Sequence, residues 1–95
     1  MVLEISVLNA RHLPKMDTFG SCDPFVILQI GESKYETSVK KSSYSPDWNE
    51  IFLYTAQASQ LIVELYDWNR ASKNEKVVEL KTNANDYPQH DMGLP

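Results

Sequence analysis

The chain is poor in cysteine and in basic residues, and it contains no long apolar run. Cys22 is its only cysteine, so no internal disulfide can form; because small secreted domains normally carry several, we expect a reducing compartment. No stretch approaches the ~20 apolar residues that span a bilayer, and the first residues lack the features of a secretory signal. Nine Lys and Arg against 13 Asp and Glu give a net charge of −4. That balance argues against a nucleic-acid partner, since binding phosphates requires a basic surface.

Short segments of alternating apolar and polar residues, separated by turn residues, are what the 95 residues do contain. No segment of ten or more residues shows helical spacing. Strands are predicted at Leu3–Val7, Phe25–Ile30, Lys34–Lys40, Trp48–Tyr54, Leu61–Tyr66 and Val77–Leu80, with a hairpin turn at Gly31–Glu32. This spacing predicts a single all-β domain, an antiparallel β-sandwich.

Acidic and amide side chains collect beside strand ends in two of the predicted loops, the first loop at Arg11–Asp23 and the third loop at Asp67–Glu75. These residues are Asp17, Asp23, Asp67, Asn69 and Glu75. Calcium takes six to eight oxygen ligands of this kind, so a calcium site is expected if the two loops converge. Each residue taken alone favours turn formation over a ligand role, because Asp and Asn side chains bond nearby backbone N–H groups. His12, His90 and Cys22 are far apart in the sequence, which does not suggest zinc.

The sequence around these acids resembles the C2 domain family, calcium- and phospholipid-binding β-sandwiches. Five pieces match in order between residues 3 and 78, and the most specific of them is Ser45-Pro-Asp-Trp-Asn-Glu50 followed by Phe52. The others are Leu3–Pro14, Met16–Val26, Lys34–Thr37 and Leu61–Asn69. The resemblance implies a Greek-key sandwich in the second of the family's two strand orders.

The resemblance also implies the calcium ligands, residue by residue. Asp17, Asp23 and Asp67 match the family pattern, whereas Asn69 and Glu75 stand where it has aspartates. Both departures are expected to weaken calcium binding, because affinity follows ligand charge and the rigidity of the site. The backbone carbonyls of Met16 and Trp68 are implied as neutral ligands.

The chain is shorter than the family pattern, which has eight strands, of which about six are recognisable here. We expect a domain at 1–82 followed by a polar tail at 83–95 that is too poor in apolar residues to complete the sandwich. Missing strands leave a sheet edge bare, and bare edges invite pairing with another chain. A homodimer through the exposed edge is the simplest repair.

Lipid contacts are expected from an aromatic side chain and several basic side chains. Phe19 in the first loop either inserts into lipid or is an ordinary surface aromatic. Arg70, beside the third loop, is the best candidate for a phosphate contact, while Lys34, Lys40 and Lys41 form either a head-group patch or a solvated polar face.

We therefore expect a non-enzymatic, calcium-regulated module that binds anionic phospholipid membranes. It would be cytoplasmic and would move to the membrane surface when calcium rises. A calcium-independent protein-interaction scaffold is the alternative, favoured by Asn69, by Glu75 and by the short length relative to the family pattern. A metal-dependent hydrolase is disfavoured, because the pattern places neither histidine near the acids as a base.

Overall fold

Seven β-strands make up the regular structure of the residues that the computed structural model describes, namely 3–13, 22–54, 60–69, 73–83 and 89–94. In chain order the strands are β1 (Leu3–Ala10), β2 (Pro24–Ile30), β3 (Ser33–Glu36), β4 (Asp47–Tyr54), β5 (Gln60–Asp67), β6 (Glu75–Asn83) and β7 (Gln89–Leu94). These ranges contain no helix, and therefore no helix that could span a membrane.

The strands form two sheets, with strand orders β4-β1-β7 and β3-β2-β5-β6. Neighbouring strands are antiparallel except for β1 and β7, which run parallel. The chain passes from one sheet to the other after β1, β3, β4 and β6. The predicted all-β sandwich is therefore confirmed.

The core lies between the inward faces of the two sheets, where period-2 alternation places the apolar side chains. In β1 the alternate residues Leu3, Ile5 and Val7 are buried, as their spacing predicts. The other buried apolar side chains of the core cluster are Ala10, Leu13, Cys22, Val26, Leu28, Ile30, Trp48, Leu61, Val63 and Leu65. These residues come from both sheets, so the sandwich is held by one shared apolar layer.

The predicted hairpin at Gly31–Glu32 is confirmed, since it joins β2 to β3 with Ile30 opposite Ser33. Gly31 has a φ of +56°, and a Cβ at this position would lie 3.0 Å from the Tyr54 hydroxyl oxygen. Glycine fits the turn because it adopts positive φ without steric cost. Strand β3 ends at Glu36, earlier than the predicted Lys40.

The C-terminal segment differs most from expectation, because it contains a seventh strand. β7 pairs with β1 over its length, from Glu4 opposite Gln89 to Ala10 opposite Leu94. This strand was not predicted because its sequence lacks apolar alternation. Its backbone groups can nevertheless pair with the free edge of β1. The segment expected to be only a polar tail thus contributes to a sheet.

The expected homodimer is not supported by this arrangement. It rested on an edge left bare by missing strands, whereas β1 is flanked by β4 on one side and by β7 on the other. Backbone groups along β1 are therefore paired within the chain, which removes the main reason for expecting a second copy.

The outer face of the four-stranded sheet carries a small polar network around Lys76. Its Nζ lies 3.2 Å from Glu64 Oε2 and 3.2 Å from Glu79 Oε1. The Tyr66 hydroxyl donates a hydrogen bond to Glu64 Oε2 at 3.1 Å, and the Tyr66 ring stacks on Phe25 with ring centroids 5.7 Å apart. Burial, the hydrogen bond to Glu64 and the charge of Glu64 all raise the pKa of Tyr66.

The raised Tyr66 pKa predicts a loss of stability in alkaline solution. A raised pKa in the folded state gives stability that is complete below the ordinary tyrosine pKa of about 10 and is lost as pH rises through the folded-state value. The pKa of Lys76 is also raised, by hydrogen bonds to Glu79 and Glu64, and acts in the same direction. We expect Tyr66→Phe to flatten the fall in urea-unfolding free energy above about pH 10. An unchanged alkaline slope in Tyr66→Phe would contradict this prediction.

Candidate functional site

Strand register brings three of the sequence-predicted acidic positions to one end of the sandwich. Asp67, the last residue of β5, lies opposite Pro24 at the start of β2 and opposite Glu75 at the start of β6. Asp23 immediately precedes Pro24. In antiparallel neighbours the end of one strand lies beside the start of the next. The end of β5 therefore places Asp67 between Asp23, before β2, and Glu75, at the start of β6.

Asp67 is the anchor of this end of the sheet, with 1% of its surface exposed. Its Oδ1 accepts a hydrogen bond from the backbone N–H of Asp23 at 2.9 Å. In return the backbone N–H of Trp68 donates to the carbonyl oxygen of Asp23 at 2.9 Å. These two bonds tie the entry of β2 to the exit of β5, so the chain that leaves the first loop is fixed relative to the third.

The Asp23 carboxylate organises the neighbouring loop at residues 37–46. Its Oδ1 accepts a hydrogen bond from the backbone N–H of Ser42 at 2.7 Å. The backbone N–H of Ser43 also donates to the Cys22 carbonyl at 2.8 Å, and that of Lys40 to the Pro24 carbonyl at 3.0 Å. Asp23 therefore has a turn-forming role, one of the two roles that the sequence left open.

Asn69 shapes the start of the third loop. Its backbone N–H donates to Asn74 Oδ1 at 2.9 Å, and its side-chain Nδ2 donates to the Lys73 carbonyl at 3.0 Å. Because the amide nitrogen is used as a donor, the side-chain oxygen is the atom left to accept a hydrogen bond or ligate a cation. Glu75 follows Asn74 directly, is partly exposed and opens β6.

Lys41 connects the 37–46 loop with the third loop. Its Nζ lies 3.5 Å from the centroid of the Trp68 ring, a cation–π contact that is stronger with Trp than with other aromatics. Lys40 and Lys41 both adjoin the segment that bonds to Asp23 and Pro24. Two of the predicted basic residues therefore lie beside the acids.

Lys34 lies elsewhere. It is opposite Gln29 on β2, whereas the acids gather at Pro24. Five residues along a strand at ~3.3 Å each separate these positions by roughly 17 Å. Lys34 therefore lies along β3, away from the end of the sandwich where the acidic residues gather.

Four predicted site residues, Met16, Asp17, Phe19 and Arg70, lie outside the described residues. Among the residues that are described, no group of three or more His, Cys, Asp or Glu side chains is placed to hold a metal ion. The donors nevertheless fit calcium in chemical type, since Asp23, Asp67, Asn69 and Glu75 supply carboxylate or amide oxygens.

The Ser45–Glu50 segment, the most specific piece of the resemblance, has a structural role in the described chain. Trp48 Nε1 donates to the Ser38 carbonyl at 2.9 Å, and Glu50 Oε2 accepts from Ser38 Oγ at 2.8 Å. Asn49 adopts a φ of 52° within β4, which asparagine tolerates better than most residues. These contacts hold the 37–46 loop against β4, and the same loop bonds to Asp23 through the Ser42 N–H.

Arg11 is a residue that sequence analysis did not single out. Its guanidinium donates to the Ala10 carbonyl at 2.7 Å and to the Pro46 carbonyl at 3.1 Å, and it pairs with Asp47 Oδ1 at 2.6 Å. No local sequence pattern predicts this role, because Pro46 and Asp47 lie more than thirty residues away along the chain. Arg11 closes the exit of β1 onto the start of β4.

Comparison with known proteins assigns the whole arrangement to one family. The C2 domain model matches residues 1–93. Human synaptotagmin-2 is 33% identical over 101 residues, which cover 98% of this chain and 23% of that protein. The chain spans less than a quarter of the length of the curated relatives that it matches.

Solved structures agree with the sequence match. The first C2 domain of a plant extended synaptotagmin 1 superposes with a TM-score of 0.81 at 27% identity, over 90% of this chain and 70% of that one. The tandem C2 domains of extended synaptotagmin 2, described as calcium bound, superpose with a TM-score of 0.78 at 27% identity, over 86% of this chain and 34% of that one. The likeness extends from sequence to the course of the backbone.

Proposed function

Because this chain belongs to the C2 domain family, we propose that it is a calcium-regulated module that binds anionic phospholipid membranes and has no catalysis of its own. The observation that carries the proposal is the pair of hydrogen bonds that joins Asp23 to Asp67 and to Trp68, which holds acids from two loops at one end of the sandwich. Calcium, when bound, supplies positive charge and open coordination positions that lipid phosphate oxygens can fill.

The chain's own residues would act by charge. With a net charge of −4, the chain and its acidic loop end are repelled by an anionic leaflet until the carboxylates are neutralised. Asp23, Asp67, Asn69 and Glu75 would hold the cation together with Asp17 and the carbonyls of Met16 and Trp68. Peripheral binding at the cytoplasmic face of a membrane, following a rise in calcium, is the localisation we propose.

Lys41 is the described cation best placed to meet a lipid phosphate at this end. The Trp68 ring holds its Nζ beside the third loop, so little further ordering of the lysine side chain is needed on binding. Lys40 lies next to it, and Arg70 and Phe19 are proposed as the phosphate and acyl-chain contacts of the adjoining loops. Lys34 would add a more distant contact from the sheet.

Vesicle co-sedimentation of the full chain tests the proposal. We expect binding to phosphatidylcholine vesicles that contain phosphatidylserine when calcium is present, and loss of binding with chelator or with phosphatidylcholine alone. Binding should weaken as salt rises, because the Debye length falls to about 8 Å at 0.15 M. Absence of binding in calcium would contradict the proposal.

Three lysine variants locate the binding surface in the same assay. Each Lys near an anionic surface contributes about 1 kcal/mol, or roughly fivefold in affinity. We expect Lys41→Ala to show that loss, whereas Lys81→Ala, which removes an exposed lysine of β6 away from the loops, should match wild type. Lys34→Ala separates the two surfaces: a loss as large as that of Lys41→Ala would move the binding surface to the sheet.

A calcium-independent interaction scaffold is the second candidate. It is favoured by the hydrogen bonds that already engage Asp23 and Asn69 within the chain, since a ligand group must give up or share such bonds to take a cation. Vesicle binding that persists unchanged in chelator would favour this candidate. So would a thermal unfolding midpoint that calcium does not move, because a ligand bound only to the folded state must stabilise it.

A further inference from the structure

Ser45 combines a sequence feature with a structural setting that the proposed membrane function does not use. Of the five prolines, only Pro46 follows a serine or threonine. Ser45 is exposed and lies between β3 and β4, outside any strand. A serine directly before proline is what proline-directed protein kinases require, because proline at the following position carries no N–H that needs a partner in the kinase groove.

The Ser45 hydroxyl is weakly engaged. Within the described ranges its oxygen accepts one hydrogen bond, from the backbone N–H of His12, at the long distance of 3.4 Å. The Ser45 backbone N–H donates to Ser43 Oγ at 3.3 Å. Little hydrogen-bond energy is therefore lost when the hydroxyl is modified, since bonds of this length are weak.

A cation, the Arg11 guanidinium, lies beside the Ser45 backbone. Arg11 Nη1 lies 3.3 Å from the Ser45 carbonyl oxygen, and the Arg11 side chain is 42% exposed where it pairs with Asp47. A phosphoserine carries about −1.5 to −2 charges at pH 7, against −1 for an aspartate, and its oxygens bind a guanidinium in bidentate fashion. A phosphate on Ser45 would thus compete with Asp47 for Arg11.

We propose that Ser45 is a phosphorylation site for a proline-directed serine kinase, and that Arg11 pairs with the resulting phosphate. The kinase transfers the γ-phosphoryl group of ATP: the bond from the γ-phosphorus to the bridging oxygen breaks, the bond from Ser45 Oγ to phosphorus forms, and ADP leaves. The hydroxyl proton passes to the catalytic base of the kinase. The assignment is independent of the proposed membrane function.

Access to the kinase requires the segment to open locally, because Pro46 is buried although Ser45 is exposed. The neighbouring carbonyls of Tyr44 and Pro46 accept backbone hydrogen bonds from Leu13 and Ala10, each at 3.0 Å. The bond from Ala10 continues the β1–β4 ladder beyond the Asn9–Asp47 pair, so Pro46 lies at the end of that ladder. Binding by the kinase therefore requires this end of the ladder to fray, and strand ends open at lower free energy than the centres of core strands do.

Phosphorylation of the purified full chain by a cyclin-dependent kinase with Mg-ATP tests the site. We expect mass spectrometry to show one added phosphate, placed on Ser45 by fragmentation, and its loss in Ser45→Ala. Pro46→Ala is the matched control, because it keeps the hydroxyl and removes the proline; it should fall to near the background level. No incorporation, or phosphate on Ser42 or Ser43 in place of Ser45, would overturn the assignment.

Phosphorus NMR of the phosphorylated chain tests the role of Arg11. A neighbouring guanidinium should lower the second pKa of the phosphate below its ordinary value of about 6. In phosphorylated Arg11→Gln the titration should return toward that value, and in Arg11→Lys it should lie between. An unshifted titration in the phosphorylated wild-type chain would remove Arg11 from the proposal, whatever its effect on folding.

Discussion

Replacing Asp67 by asparagine is expected to remove most of the stabilisation that calcium confers on the folded chain. Saturation at about one hundred times the dissociation constant adds roughly 2.7 kcal/mol to the free energy of unfolding. Asp67→Asn removes a central carboxylate charge from the proposed ligand set but retains an oxygen that can accept the hydrogen bond from Asp23 N–H. We expect the calcium-free variant to fold and its calcium-induced shift in unfolding midpoint to be small.

Asp47→Asn is the matched control for this experiment. Asp47 begins β4 at the same end of the sandwich, and its side chain is 60% exposed where it pairs with Arg11. The substitution changes net charge by the same amount but lies outside the proposed ligand set. An exposed pair of this kind contributes about 0–1 kcal/mol, so the calcium response should be retained. Equal calcium responses in wild type and Asp67→Asn would exclude Asp67 as a ligand.

Replacing Trp48 by alanine should produce the largest loss of stability in the chain. Trp48 is 5% exposed, belongs to the core cluster and donates from Nε1 to the Ser38 carbonyl. Truncation of a buried tryptophan costs about 3–5 kcal/mol, against a total of roughly 5–15 kcal/mol for a domain. Urea unfolding followed by circular dichroism measures this loss. Trp48→Phe should be intermediate, because it keeps much of the apolar packing and loses the donor.

Ile51→Ala on the same strand tests whether β4 faces the core as described. Ile51 points outward and is 60% exposed, so its truncation should change the free energy of unfolding by no more than about 0.5 kcal/mol. A loss in Ile51→Ala comparable to that of Trp48→Ala would show that the outer face of β4 is covered.

The fold was largely predictable from local patterns. Leu3, Ile5 and Val7 alternate with polar residues, and their burial follows directly because successive strand residues point to opposite faces. The Gly31 hairpin was equally predictable, since the turn needs a residue that tolerates positive φ. β7 was not, because its pairing with β1 depends on a backbone edge at the other end of the chain.

The candidate site was predictable in residue type but not in geometry. The sequence names Asp23 and Asp67 as acids beside strand ends, and the register of β2 and β5 brings them together. The bond from Ser42 to Asp23 spans 19 residues and has no local signature. Sequence likewise groups Lys34 with Lys41, although strand register separates Lys34 from the loop end.

The sequence by itself determined where six of the seven described strands lie and which of their faces turn inward, because alternation with a period of two is a local property of the chain. Only the tertiary structure decided which edges meet, which carboxylate caps which loop, and which cation lies on Trp68. Those choices depend on contacts between residues distant in the chain. Each such contact offsets the entropy cost of closing the intervening loop only when the rest of the sandwich is in place.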